Sequence, residues 1–327
     1  MSLRTSIVLV AGVAAIWPSP AAAQQPAQAT IGVLNSSSVG LRKEQATAFH
    51  RGLKQLGYVE NQNLTIEYRW ANNQYERLPA LATELVQRKV SVLVAAGGPV
   101  SAIAAKKVTS TIPIVFTTVA DPVKYGLVAS LNRPGGNVTG NAGLTSELDP
   151  KRLEFLHQIK PTGGPIGVLI NPHRPNVANQ VTDVHAGAKA IGRRLVVLSP
   201  GSESEIDAAF QALAQQKVDA LLVTADPFFS SRRSQLIALA ARHGIAAIYQ
   251  WREFPAAGGL ISYGPSITDA YVQTGVFVGR ILKGAQPADL PVMVPNRFEL
   301  VINLKTARAL GITVPRVLLS RADDIIE

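Results

Sequence analysis

The sequence contains no cysteine. Disulfides, thiolate catalysis, cysteine metal sites and lipid attachment at an N-terminal cysteine are therefore excluded. Aromatic residues make up only 6% of the chain. They do not interleave with the Lys and Arg residues, which are scattered, and no helix-turn-helix or zinc-finger spacing occurs. Nucleic acid is thus not the expected partner, although the formal net charge is +10. That charge fits a protein that meets anionic ligands or membrane surfaces. Catalytic signatures are missing as well: there is no G-x-S-x-G elbow, no G-x-x-x-x-G-K-[ST] phosphate loop and no H-E-x-x-H zinc helix. The glycine-rich stretch GGNVTG (135–140) has the wrong spacing for a dinucleotide loop and precedes a short strand. The histidines (His50, His157, His173, His185 and His243) are dispersed, with no carboxylate pattern to complete a metal site. No cofactor and no metal are expected.

What is present begins with an export leader. Arg4 supplies a positive start, residues 7–17 are uncharged and mostly apolar, and Ala21-Ala22-Ala23 fits a cleavage site before Gln24. The apolar run is shorter than the roughly 20 residues needed to span a bilayer, and no comparable run recurs. A retained anchor is the alternative. The expected product is a freely diffusing periplasmic chain, long enough to bury a large core in one or two domains.

After the leader the chain repeats one pattern. Candidate strands at 30–34, 64–70, 91–96, 113–117 and 138–140 alternate with helical patterns at 40–56, 74–88, 100–108 and 124–131. Strands at 166–171, 194–198, 220–224, 246–249 and 260–262 then alternate with helices at 176–191, 203–216 and 231–242. Val92-Leu93-Val94-Ala95 is apolar at every position, which suits a parallel strand covered on both faces. Asn73 with Glu76, and Ser202 with Glu205, have capping-box spacing. Asp149-Pro150 reads as an N-cap followed by proline at the first helical position. A helix over 269–282 and a last strand over 299–303 complete the expectation. The predicted fold class is α/β: two doubly wound parallel-sheet lobes joined by a three-stranded hinge. One lobe comprises 30–143 plus about 264–295, the other 144–263 plus about 296–327. Residues 1–23 are the leader.

Several stretches carry a family resemblance: GLKQLGYVENQNLTIEYRWANNQYERLPALA (52–82), DPVKYGLVASLNRPGGNVTG (121–140), ADPFFSSRR (225–233) and FELVINLKTARALGITVP (298–315). In these the chain resembles the substrate-binding proteins of ABC transporters, in the group that includes bacterial tryptophan-binding proteins. The resemblance implies a type I periplasmic-binding-protein fold that closes on a small molecule. It also implies partners: permease transmembrane subunits and a separate ATPase. Relatives often carry an amino acid, particularly an aromatic one. A monomer is expected.

In open parallel sheets ligands bind beyond the carboxyl ends of the strands. That rule selects Ser36, Ser37 and Ser38, whose hydroxyls and N–H groups suit a carboxylate, and Gly97 and Gly98, where a ligand could approach the backbone. It also selects Thr117, Asp121, Asn171 and Asp226. Asp226 is the candidate for an ammonium partner, against the plainer reading that it caps its own helix. Tyr249, Trp251 and Tyr263, with Phe228, could wall an apolar side chain or serve as core. Tyr68, Trp70 and Tyr75 read as a structural group. Arg152, Arg232, Arg233 and Arg252 could clamp an anion. The leading expectation is a binding protein that holds an amino-acid zwitterion without catalysis. An exported hydrolase using Asp121 or Asp226, and a sensor coupled to a membrane receptor kinase, are the alternatives.

Overall fold

The computed structural model describes residues 28–38, 43–161, 164–175 and 177–327. The leader lies outside them. Among the described residues no helix is long and apolar enough to cross a membrane.

The first half forms β1 (Ala29–Asn35), α1 (Lys43–Gln55), β2 (Leu64–Trp70), α2 (Leu78–Gln87), β3 (Val92–Ala96), α3 (Pro99–Val108), β4 (Ile114–Thr118) and β5 (Val138–Ala142). The strands pair in parallel, in the order β2-β1-β3-β4-β5. β3 is buried at every position, as expected of a strand with helices on both faces. α2 buries Leu78, Leu81, Ala82 and Leu85, one helical stripe.

The second half forms α4 (Asp149–Ile159), β6 (Ile166–Leu169), α5 (Val177–Ala190), β7 (Leu195–Leu198), α6 (Glu203–Gln215), β8 (Ala220–Val223), α7 (Pro227–Ser231), α8 (Arg233–Arg242), β9 (Ala246–Tyr249), α9 (Glu253–Ala256) and β10 (Ile261–Gly264). Its parallel strands follow the order β7-β6-β8-β9-β10, the first sheet's topology over again. The chain then adds α10 (Ile267–Leu282), β11 (Glu299–Asn303), α11 (Leu304–Ala309), α12 (Arg316–Leu319) and β12 (Asp324–Ile326). β11 pairs antiparallel with β10, and β12 lies parallel outside it.

α10 follows a strand of the second sheet but packs on the first, against α1 and the β3–β5 face. Two glycines permit the close crossing. A Cβ on Gly52 would stand 2.0 Å from the Val272 carbonyl oxygen, and one on Gly275 2.3 Å from that of Phe49. The chain thus passes between sheets after β5, after β10 and again before β11. At the first two crossings lies a fully buried ion pair, Asp149 with Arg152 at 2.6 Å. Arg152 also donates to the carbonyls of Thr145 and Tyr263, each at 2.8 Å, which ties one crossing to the next.

Four local expectations are corrected. Residues 124–131 form turns, not a helix. Asp121 Oδ1 accepts from the N–H groups of Val123 and Lys124, and Gly126 takes a left-handed φ of 64°, so the helical ladder never starts. Asn73 and Glu76 form no capping box: Asn73 has φ 63° and its amide reaches Ser231 Oγ at 3.4 Å. Asp149 sits inside its helix and pairs with Arg152 instead of capping. β11 is not the last strand, because the three residues of β12 are too few to announce themselves by period. Ser202, by contrast, accepts from the Glu205 N–H as a cap should, and Glu205 accepts from the Gly201 N–H at 2.7 Å.

Candidate functional site

The two doubly wound sheets reverse direction at β1/β3 and β6/β8, where such sheets bind ligands. These switch points face each other. Gly98, with φ 99°, opens α3; a Cβ there would lie 3.5 Å from Pro227, the first residue of α7. Beside this approach a cavity of about 330 Å³ opens between the sheets. Gly97, Gly98, Thr117, Asp226 and Trp251, all selected by the strand-end rule, line it.

Asp226 is the most constrained of these. It is 4% exposed, and its Oδ1 accepts from the Phe228 N–H at 2.8 Å and from Asn171 Nδ2 at 2.9 Å. Burial pushes the carboxyl above its ordinary range, while Arg174, Asn171, the Phe228 amide and the Tyr75 hydroxyl pull it back. It therefore caps α7 and faces the cavity at once. Among the described residues no cation stands within salt-bridge distance of it. Trp251, 8% exposed, supplies an apolar wall from the same lobe.

The other expected residues stand behind or away from the cavity. Ser36 gives its hydroxyl proton to the Gly97 carbonyl, and Ser37 gives its own to Asn35 Oδ1. Both are fully buried. Ser38 is half-buried and outside the lining. Asn171 acts through Asp226 and does not itself line the space. Asp121 lies outside the lining and is held in its turn. Tyr249 stacks on Phe254 at 4.3 Å in the core, and Tyr263 packs edge-on to Phe155 at 4.9 Å. Phe228 is buried beside Phe229. Of the arginines, Arg152 is buried at the crossings, Arg232 pairs with Glu203, and Arg252 pairs with Glu299 and Asp324. Arg233 does not line the cavity.

The strand-end rule missed the wall contributed by the crossings. Ser266, Ile267, Asp269 and Ala270, the start of α10, line the cavity, as do residues 293–297. Ser266 accepts from the Asp269 N–H, a pattern visible in sequence, but which cavity the helix start would face was not. Asn141 and Thr117 are locked to α10 through Thr274, at 2.9 and 2.6 Å. The charged lining residues are Asp226, Asp269 and Glu299 against Arg297. The cavity is thus acidic in a basic protein.

Residues 30–326 match the family described as ABC transporter substrate binding protein. The chain is 31% identical over 262 residues to a tyrosine-binding protein of Clostridioides difficile strain R20291, covering 80% of this chain and 75% of that one. The crystal structure of an ABC domain from Streptococcus pneumoniae in complex with L-Trp superposes with a TM-score of 0.82 at 27% identity, covering 91% of this chain and all of that one. A ligand-free, open structure of a substrate-binding protein with adhesive properties from Clostridium difficile gives a TM-score of 0.64 at 26% identity, over 91% and 99% of the two chains. With its two lobes sharing one order in their first five strands and the acidic cavity between them, the chain belongs to the ABC transporter substrate-binding protein family.

Proposed function

We propose that this protein captures a free amino acid with an aromatic or branched side chain in the cleft, without converting it. It then delivers the cargo to the transmembrane subunits of an ABC permease driven by a separate ATPase. The leader at 1–23 directs export to the periplasm, where the protein acts as a monomer. The closing units are 30–143 with about 264–295, and 144–263 with about 296–327.

The observation that carries the reading is Asp226, a buried carboxylate at the cavity wall with no ion-pair partner among the described residues. Arg174 acts on it only from beyond ion-pair distance; a ligand ammonium supplies a direct partner, and a charge-assisted bond in a water-poor site is among the strong ones. The N-terminus of α10 offers its dipole to the ligand carboxylate, and Trp251 offers its ring to the side chain. The tyrosine-binding relative and the L-Trp-bound neighbour support an aromatic cargo. Similarity to that complex is greater than to the open, ligand-free neighbour, which supports a closed arrangement of the lobes here. A ligand that touches both lobes favours closure, and one that touches a single lobe shifts nothing.

The test is a thermal-shift panel on leader-free, ligand-stripped protein. Ligand at about 100 times its dissociation constant stabilises by roughly 2.7 kcal/mol, enough to move the midpoint by several degrees. Aromatic or branched amino acids are expected to do so. An equal shift with deaminated analogues would remove the ammonium role of Asp226; silence with every amino acid would remove the cargo class.

A further inference from the structure

The ammonium subsite has a component from the opposite lobe that no strand-end rule selects. Tyr75 stands in a single 3-10 turn, Tyr75–Arg77, between β2 and α2 of the first lobe. The loop before it is pinned: the N–H groups of Ala71, Asn72 and Asn73 donate to the carbonyls of Asn35, Ser37 and Ser36 at 2.9, 3.2 and 2.7 Å. Asn72 and Asn73 both take left-handed φ values, 55° and 63°, which turn the chain toward the second lobe. From this rigid base the Tyr75 hydroxyl crosses the cleft. It accepts from Asn171 Nδ2 at 3.3 Å, the same amide that donates to Asp226 Oδ1 at 2.9 Å, and it pulls the Asp226 carboxyl back toward its ordinary range.

We propose that Tyr75 is a positioning residue for ligand recognition: reaching across the cleft, its hydroxyl orients the Asp226 carboxylate toward the ligand's ammonium once the lobes have closed. This rests on the assignment of Asp226 to the ammonium. Within its own lobe Asp226 Oδ1 is held by Asn171 and the Phe228 amide, and Arg174 is the cation that acts on it. Tyr75 is the partner from the facing lobe, so its bond forms only on closure. The same seam carries a second crossing bond, from the Tyr125 hydroxyl to the Pro175 carbonyl at 2.8 Å. The loop 171–175 is thereby gripped at both ends by tyrosines of the first lobe. Recognition of the ammonium and closure of the cleft become one event.

The variant is Tyr75→Phe, which keeps the ring and its packing against the first-lobe core and removes only the hydroxyl. Calorimetric titration of the leader-free chain uses L-Trp and its deaminated analogue, indole-3-propionate. L-Trp affinity is expected to fall about tenfold more than the affinity for the analogue, since a hydrogen bond in the network that holds a charged group is lost. Equal losses for the two ligands, or no loss, would overturn the positioning role. A wild-type protein that binds both alike, with Asp226→Asn also without effect, would overturn the Asp226 assignment and this role with it. A readout in the closed state stands beside these: in ligand-saturated protein the Asp226 carboxyl, followed by its NMR titration, is expected to move upward in Tyr75→Phe. An unmoved titration overturns the proposal even where ligand binding changes.

Discussion

At the residue scale, Asp226 serves folding and, in the proposed reading, recognition as well. It caps α7, a role any Asx residue fills, and it faces the cavity with a charge that burial opposes. A carboxyl raised in the folded state binds its proton more tightly there than in the unfolded chain. Its contribution to stability is therefore present at acid pH and is lost as pH climbs from the ordinary carboxylate range through the raised value. In Asp226→Asn the cap survives and this pH dependence goes. Relative to wild type, the ligand-free variant is expected to gain stability as pH rises from acid to neutral, while amino-acid binding falls by a hundredfold or so, as for a lost charge-assisted contact of about 3 kcal/mol. Midpoints measured across pH, with and without ligand, check both. A variant whose midpoint tracks the wild type at every pH would show that Asp226 titrates normally. The strand-end rule found Asp226, Trp251 and the Gly97-Gly98 pair because strand ends are visible as the limits of apolar runs. It missed Tyr75, whose proposed role depends on a partner 151 positions away in a different lobe.

At the element scale, α10 decides the shape of the site. It is apolar almost all round because it lies between α1 and the first sheet, burying Tyr271, Val272, Phe277, Val278 and Ile281. Gly52 and Gly275 let the two helices meet at backbone distance. Replacing Gly275 by alanine gains about 1 kcal/mol of helix propensity. It also places a methyl 2.3 Å from the Phe49 carbonyl and 2.7 Å from the Leu53 nitrogen, both backbone atoms that cannot rotate away. Overpacking of this kind costs about 1–3 kcal/mol and occasionally more. The net effect expected for Gly275→Ala is a loss of stability in denaturant unfolding, with weaker ligand binding as the start of α10 shifts at the cavity wall. A stabilised variant would show that the helices separate at little cost. The sequence displays α10 as a helix; its choice of the first sheet over the second is a matter of this glycine-to-glycine crossing.

At the scale of the whole molecule, the buried Asp149–Arg152 pair sits at the crossings between the lobes. Burial raises the Asp149 carboxyl and lowers the Arg152 guanidinium, and the attraction between them opposes both shifts. Desolvation leads in each case, so the pair is poor evidence for net stability. Its structural effect is specific: Arg152 holds Thr145 on one crossing and Tyr263 at the end of the next, while Gln180 binds the second Asp149 oxygen at 2.8 Å. Arg152→Met alone leaves a buried carboxylate unpaired and is expected to cost about 3–5 kcal/mol. Adding Asp149→Leu should restore most of that stability in urea titrations. Ligand affinity should stay reduced in the double variant, because the two crossings are no longer joined. Full recovery of affinity would show that the pair has no part in setting the lobe arrangement.

The sequence by itself determined the duplicated α/β architecture. Apolar runs and helical stripes are local patterns, each readable within a dozen residues, and their repetition specified two lobes and hence a cleft. It also pointed to strand ends for part of the cavity wall, since backbone donors and helix starts converge there. Tertiary structure alone decided which of those residues share one cavity. Tyr249 and Tyr263 turn into packed aromatic pairs, Ser36 and Ser37 give their protons to neighbouring oxygens, and the start of α10 enters the cavity wall. Those outcomes depend on how two sheets, built by distant stretches of chain, meet across the crossings. Contacts such as Tyr75 with Asn171 or Gly98 with Pro227 leave no period or spacing behind, because they exist only once both lobes have folded and come together.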